Sequence, residues 1–190
     1  MMLDDHVERA AEPSPLLIER SPPELLRQPL DFLFAEHYRH RQLCRILDHL
    51  ADATLADVPL TARADDFIRY DLALHVIDEE EDLFPLLRRR CDPEDDIDQI
   101  IGRLSGDHRD DAALARTVRG HLGEALAHAM PVRRVPGAAR DLRQFARQER
   151  AHVALENAVV MPLARARLSI EDLRALSRRL AARRGIYLET

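Results

Sequence analysis

One local pattern occurs twice in this 190-residue chain, and it limits what the chain can fold into. His75-Val-Ile-Asp-Glu79 is followed by Pro85, and His152-Val-Ala-Leu-Glu156 by Pro162. Each copy is thus His-x-x-x-Glu with a proline ten residues after the histidine. About 40 residues upstream of each stands a histidine with an acidic neighbour, Glu36-His37 and Asp107-His108. Residues four apart lie one turn apart on the same face of an α-helix. The repeat therefore predicts helices, and two halves built on one plan.

Composition agrees. Glycine is scarce at 6, tryptophan is absent and aromatics are 4%, while Leu, Ala, Arg, Asp and Glu dominate. That mixture favours helices over strands. No segment alternates apolar and polar residues for long enough to predict a strand. Pro29 suits the first position of a helix reaching about Ala53. On its wheel His37 lies with Leu30, Leu33, Cys44 and Ala51, so it points into the apolar stripe. Val58-Pro-Leu-Thr61 reads as a break before a second helix, about 62–90, on which Ile68, Leu72, Glu79 and Leu86 share the face of His75. A third helix is expected over about 94–130, with a weak point near Gly102 or Ser105-Gly106. Pro131 to Gly137 reads as a linker to a fourth, about 138–167. Ser169-Ile-Glu-Asp172 reads as the cap of a short fifth helix ending at Gly185. The expectation is an all-α, antiparallel up-down-up-down four-helix bundle over 29–167. A proline-rich extended arm (1–28, with Pro23-Glu-Leu-Leu26 as one turn) precedes it, and a C-terminal helix and tail (168–190) follow.

Several function classes are disfavoured. A net charge of −6 supplies no excess of cations for nucleic acid. No apolar run is long enough to span a membrane. The N-terminus lacks the basic and apolar regions of a secretory signal. Two cysteines, Cys44 and Cys91, form neither a disulfide framework nor a Cys-x-x-Cys, so a cytoplasmic setting is expected.

The repeated residues are the ones a metal needs. A single His-x-x-x-Glu on a helix is usually a surface pair. Two copies with matching prolines and matching partner histidines are far harder to reach by accident. Six groups, His37, His75, Glu79, His108, His152 and Glu156, converge from four helices. We assign His37 and His75 to one metal and His108 and His152 to a second, with both glutamates bridging. Imidazole and carboxylate without thiolate suit redox-active iron best, with manganese or zinc as substitutes. Burying six ionisable groups would be very costly without such compensation.

These residues resemble the hemerythrin-like (HHE cation-binding) family across about 29–167. The resemblance rests on Glu36-His37, His75-x-x-x-Glu79 with Leu83-Phe84-Pro85, Asp107-His108, and His152-x-x-x-Glu156 with Met161-Pro162. It implies a four-helix bundle around a di-iron centre with an oxo, hydroxo or water bridge that binds O2, NO or peroxide. Oxygen carriers of the family have a fifth histidine where this chain has Ala112, and an aspartate where it has Asn157. The four-His, two-Glu set is closer to members that sense iron or oxygen, or that repair iron centres under nitrosative stress, although their attached domains are not found here. The expected function is small-ligand binding in sensing, stress response or iron handling. A di-iron enzyme with peroxidase- or oxidase-like activity, or iron-centre repair, is the alternative. A ferritin-like oxidase is disfavoured, since only Glu149-x-x-His152 fits its pattern.

Other residues carry weaker expectations. His40 reads as a partly exposed histidine, and the Asp78–Asp82 acidic run as a solvated face from which Glu79 alone points inward. Asp71 and Asp111 are placed to orient His75 and His108. Leu33, Phe34, Ile68, Leu72 and Val159 are expected to line an apolar pocket. Cys91, beside three arginines, is expected to have a lowered thiol pKa. His121, Glu124 and His128 read as a solvated face, and His6 and His49 have no partner. The arm and the fifth helix are the expected surfaces of any homodimer.

Overall fold

A computed structural model describes residues 16–188, and every regular element among them is helical. A 3-10 turn, Pro23–Arg27, leads into α1, Pro29–Asp52. Next come α2 (58–90), α3 (Ile97–Ala127), α4 (138–167) and α5 (Ile170–Arg183). No helix among the described residues is long and apolar enough to cross a membrane.

Local chemistry sets most of the helix ends. Val58 to Thr61, expected as a break, forms the first turn of α2 instead. The Asp57 side chain accepts from the Leu60 N–H at 2.9 Å, and Pro59 sits where a missing N–H costs nothing. The actual break is the segment just before it. α3 runs unbroken through Gly102 and Gly106. Gly137 enters α4 at φ +84°, a left-handed conformation that side chains resist. Ser169 and Asp172 form a reciprocal capping box at the start of α5.

Two helices contain wide π turns, and these explain the prolines of the repeated motif. In α2 one turn covers Glu79–Leu83, and in α4 its counterpart covers Glu156–Val160. There the N–H groups of Phe84 and Met161 reach back five residues, to the carbonyls of Glu79 and Glu156. A proline inside an α-helix strips a donor from the carbonyl four residues earlier and collides with it. A widened turn directly upstream of Pro85 and Pro162 relieves that conflict without breaking the rod. A third π turn, Phe67–Asp71, is not followed by a proline.

The apolar core divides into two clusters at opposite ends of the bundle. One gathers the second half of α1 with the starts of α2 and α4 and the end of α3, around Leu47, Phe67, Leu122 and Phe145. The other gathers Leu33, Phe84, Leu104 and Met161, and Leu176 and Leu180 of α5. Ile18 reaches the first cluster and Leu26 the second, so the described residues before α1 pack on the body. Between the clusters lies a layer of buried polar side chains.

The acidic run 78–82 departs from its expected solvated role. Asp78 and Asp82 are buried, because arginines of α5 cover them. Arg183 meets both carboxylates at 2.6 Å, Arg184 meets Asp78 at 2.7 Å and Arg179 meets Asp82 at 2.6 Å. α5 is thus held to the back of the π turn that carries Glu79. Arg183→Ala removes the one guanidinium shared by both acids. It is expected to destabilise the fold by about 2 kcal/mol in urea or thermal melts, the cost of leaving charged acceptors short of a donor.

Candidate metal centre

The six predicted residues meet in the polar layer. His37 comes from α1, His75 and Glu79 from α2, His108 from α3, and His152 and Glu156 from α4. All are buried except His108, which sits at the edge with an 8% exposed side chain. The four Nε2 atoms face the two carboxylates. His152 stands 3.0 Å from Glu156, and His75 stands 3.3 Å from Glu79. His37 reaches both glutamates, at 3.5 and 3.4 Å, and His108 reaches Glu79 at 3.4 Å.

These contacts are not satisfied hydrogen bonds. All four Nε2 atoms and all four glutamate oxygens are buried without a hydrogen-bond partner. Native proteins seldom tolerate that, since each orphaned polar atom costs free energy. Donors about 2.1 Å from a shared ion and at right angles stand about 3 Å apart, close to the observed spacing. The atoms fall into two groups, each within 4.8 Å: His37, His75, Glu79 and Glu156; and Glu79, His108, His152 and Glu156. Both glutamates belong to both groups. The residues therefore fit two cations, and the fit follows from the chemistry of the donor set.

The outer ring nitrogens show how the layer is aimed. His37 Nδ1 donates to Asn157 Oδ1 at 2.8 Å, and His108 Nδ1 donates to Glu80 Oε1 at 2.6 Å. Fixing the proton on Nδ1 leaves each Nε2 lone pair pointing inward. Ser105 also donates to Glu80, at 2.9 Å. The two orienting residues occupy equivalent places, each directly after a motif glutamate and inside a π turn. One residue of the turn enters the centre while the next reaches a neighbouring helix. Asp71 and Asp111 do not perform this task. Asp71 pairs with Arg39 at 2.6 Å, and Arg39 also holds Glu36 at 2.8 Å. His75 Nδ1 has no partner, and Asp107 lies 3.8 Å from His152 Nδ1, beyond hydrogen-bond reach.

His40 also departs from expectation. It is 1% exposed, and its Nδ1 donates to the buried Glu149 at 2.7 Å. Its ring meets the His75 ring edge-on at 4.4 Å. Burial lowers the His40 pKa and keeps the ring neutral. Glu149 stays ionised despite its own burial, drawn down to about 2 chiefly by the His40 hydrogen bond. The Glu149-x-x-His152 spacing was the only sequence signal of this pair.

Of the expected pocket residues, Leu33 is buried in the core and Phe34 is half-exposed, and neither lines the observed cavity. The observed cavity, about 410 Å³, opens between α2 and α3, where Ile68 and Leu72 line it. Ala112, in the fifth-histidine position of the carriers, lines it too, and His75, His108 and His152 stand at its inner end. Cys44 is fully buried and its thiol pKa is raised by burial. Burial and Asp95 also raise Cys91, so it is not an activated thiol. His121 is taken up by Asp141 at 2.9 Å, and His6 lies outside the described residues.

The hemerythrin HHE cation binding domain profile matches residues 28–164, the stretch that supplies all six groups. The chain belongs to the hemerythrin HHE cation-binding family. No curated protein matches it closely enough to count as a relative. Within the family frame, the layer is a His/Glu cluster that could hold metal ions, and its second half repeats the first.

Without metal, the layer shares protons. Burial disfavours charge on His75 and His152, yet the adjacent Glu79 and Glu156 carboxylates raise them to about 9 and about 10. Glu79 is held well below the ordinary range against its own desolvation, mainly by His75. A proton held more tightly in the folded chain stabilises it fully below the ordinary histidine value of 6.5. That stabilisation is lost as pH rises through about 9 and about 10. The metal-free chain is therefore expected to melt at progressively lower temperature from about pH 7 to pH 10. The metal-loaded chain, with cations in place of those protons, is expected to hold its melting temperature over the same range.

Proposed function

We propose that this domain holds two iron ions and binds O2, NO or a related small molecule there, in sensing, stress response or iron handling. His37 and His75 would hold one ion and His108 and His152 the other, with Glu79 and Glu156 shared between them. The observation that carries this reading is the set of eight inward-facing donor atoms with no hydrogen-bond partner, falling into two groups that share both glutamates. When bound, iron supplies redox chemistry and coordination positions that the six residues leave open.

The chain's own residues do the rest. Asn157 and Glu80 hold His37 and His108 in the tautomer that presents Nε2. The two apolar clusters keep water from both ends of the layer. Ala112 leaves the cavity side without a further ligand, which favours a symmetric centre over the carrier type. We read the helix order as up-down-up-down, which brings the two halves together around a pseudo-two-fold axis. Manganese or zinc would suit the same donors, and a cytoplasmic setting accords with two free cysteines.

Protein purified without air is expected to contain about two irons per chain, and to change its optical spectrum on exposure to air and to NO. A chain that takes up no iron, or only one ion, would refute the centre. His75→Ala, Glu79→Ala, His152→Ala and Glu156→Ala are each expected to lose one or both ions by metal analysis. Asn157→Ala is expected to keep the ligands but weaken metal affinity about 10-fold or more, by freeing the His37 ring.

A second reading, a di-iron enzyme with peroxidase- or oxidase-like or iron-centre repair activity, is favoured by one feature. The cavity is far larger than a diatomic molecule requires.

A further inference from the structure

The cavity has a structural origin in the imperfect repeat. The two halves match α1 with α3 and α2 with α4, so His40, three residues after His37, corresponds to Asp111, three after His108. Glu149, three before His152, corresponds to Leu72, three before His75. Between α1 and α4 the pair is complementary, and the His40–Glu149 hydrogen bond closes the interface. Between α3 and α2 the equivalent pair is Asp111 and Leu72, which cannot bond. The two helices enclose the cavity there, and both residues line it.

Asp111 is left in an unusual state. It is 9% exposed, and its Oδ1 has no hydrogen-bond partner. A buried acceptor of this kind requires a donor. The walls beside it are apolar and small, with Ala73, Ala112 and Ala115 where larger side chains would close the gap. Toward the end away from the histidines the wall becomes basic, with Arg69, Arg116 and Arg119. Arg119 is taken up by Asp65 at 2.8 Å, and Arg69 lies over the Tyr70 ring. The Arg116 side chain makes no hydrogen bond or ion pair with the described residues.

We propose that this cavity binds a short, elongated organic acid that carries a hydroxyl at its far end. The carboxylate pairs with Arg116, the chain lies along the alanine wall, and the hydroxyl donates to Asp111 Oδ1. Asp111 and Arg116 both line the cavity, five residues apart on α3, about 7.5 Å along its axis and about 140° around it, and a flexible chain of about six carbons is the probe chosen to span them. A volume of about 410 Å³ accommodates such a ligand and lies within the usual range for small-molecule sites. This deepens the reading above and rests on it only in placing the hydroxyl end beside the metal-facing histidines.

The test is calorimetric titration of the full chain with 6-hydroxyhexanoate and with hexanoate, with iron content measured on the same samples. Saturable binding of both is expected, roughly tenfold tighter for the hydroxy acid. Asp111→Leu should erase that preference, Arg116→Glu should weaken both ligands, and Ala112→Phe, at an exposed wall position, should abolish binding. All three variants should keep the iron content of the parent. Iron-loaded parent protein that binds neither acid overturns the proposal, as does binding unaltered by Ala112→Phe. A chain without iron that still binds the acids, with these variant effects, overturns the di-iron reading and leaves the organic-acid site standing.

Discussion

The rest of this structure depends on a layer of ionisable side chains held inside a helical bundle. Two carboxylates and four imidazoles in an apolar interior are strongly disfavoured unless something compensates their charge. The chain keeps the layer from the surface, with only His108 at its edge. It confines it between two apolar clusters and surrounds it with directed polar contacts, from Asn157 to His37, Glu80 to His108 and His40 to Glu149. The eight atoms that face inward all remain unpaired. That distribution distinguishes a site built for cations from a buried polar network that satisfies itself.

Helix geometry makes the layer possible. A straight α-helix separates consecutive side chains by about 100°. The π turns at Glu79 and Glu156 let one residue enter the centre while its neighbour orients a histidine on another helix. The motif prolines and these wide turns come together, since the turn relieves the conflict that a proline imposes. α5 adds an outer support, because its arginines cover the buried acids on either side of Glu79. A site on helices braced in this way is more precisely held than one on loops.

The departure from symmetry matters as much as the symmetry. One interface of the bundle is closed by the His40–Glu149 pair. Its counterpart carries Asp111 and Leu72, and opens into the cavity that leads to the histidines. A doubled plan therefore yields a closed side and an accessible side. Any molecule that reaches the centre from the cavity passes apolar walls and the Arg116 side chain.

The shared face of His75 with Glu79, and of His152 with Glu156, was legible in the linear order, because it follows from spacing within one helix. His-x-x-x-Glu puts two donors on one face wherever the helix packs, and its duplication names the partner. Other features became visible only in three dimensions. Glu80 was hidden in an acidic run that reads as solvated, His40 in a helix face that reads as half-exposed, and Asp78 and Asp82 among surface acids. Each was decided by what another helix places opposite it: Ser105 and His108, Glu149, and the arginines of α5. Local spacing fixes the direction of a side chain around its own axis. Whether that direction meets water, a partner or a cavity depends on how the helices are set against one another, and no single segment carries that information.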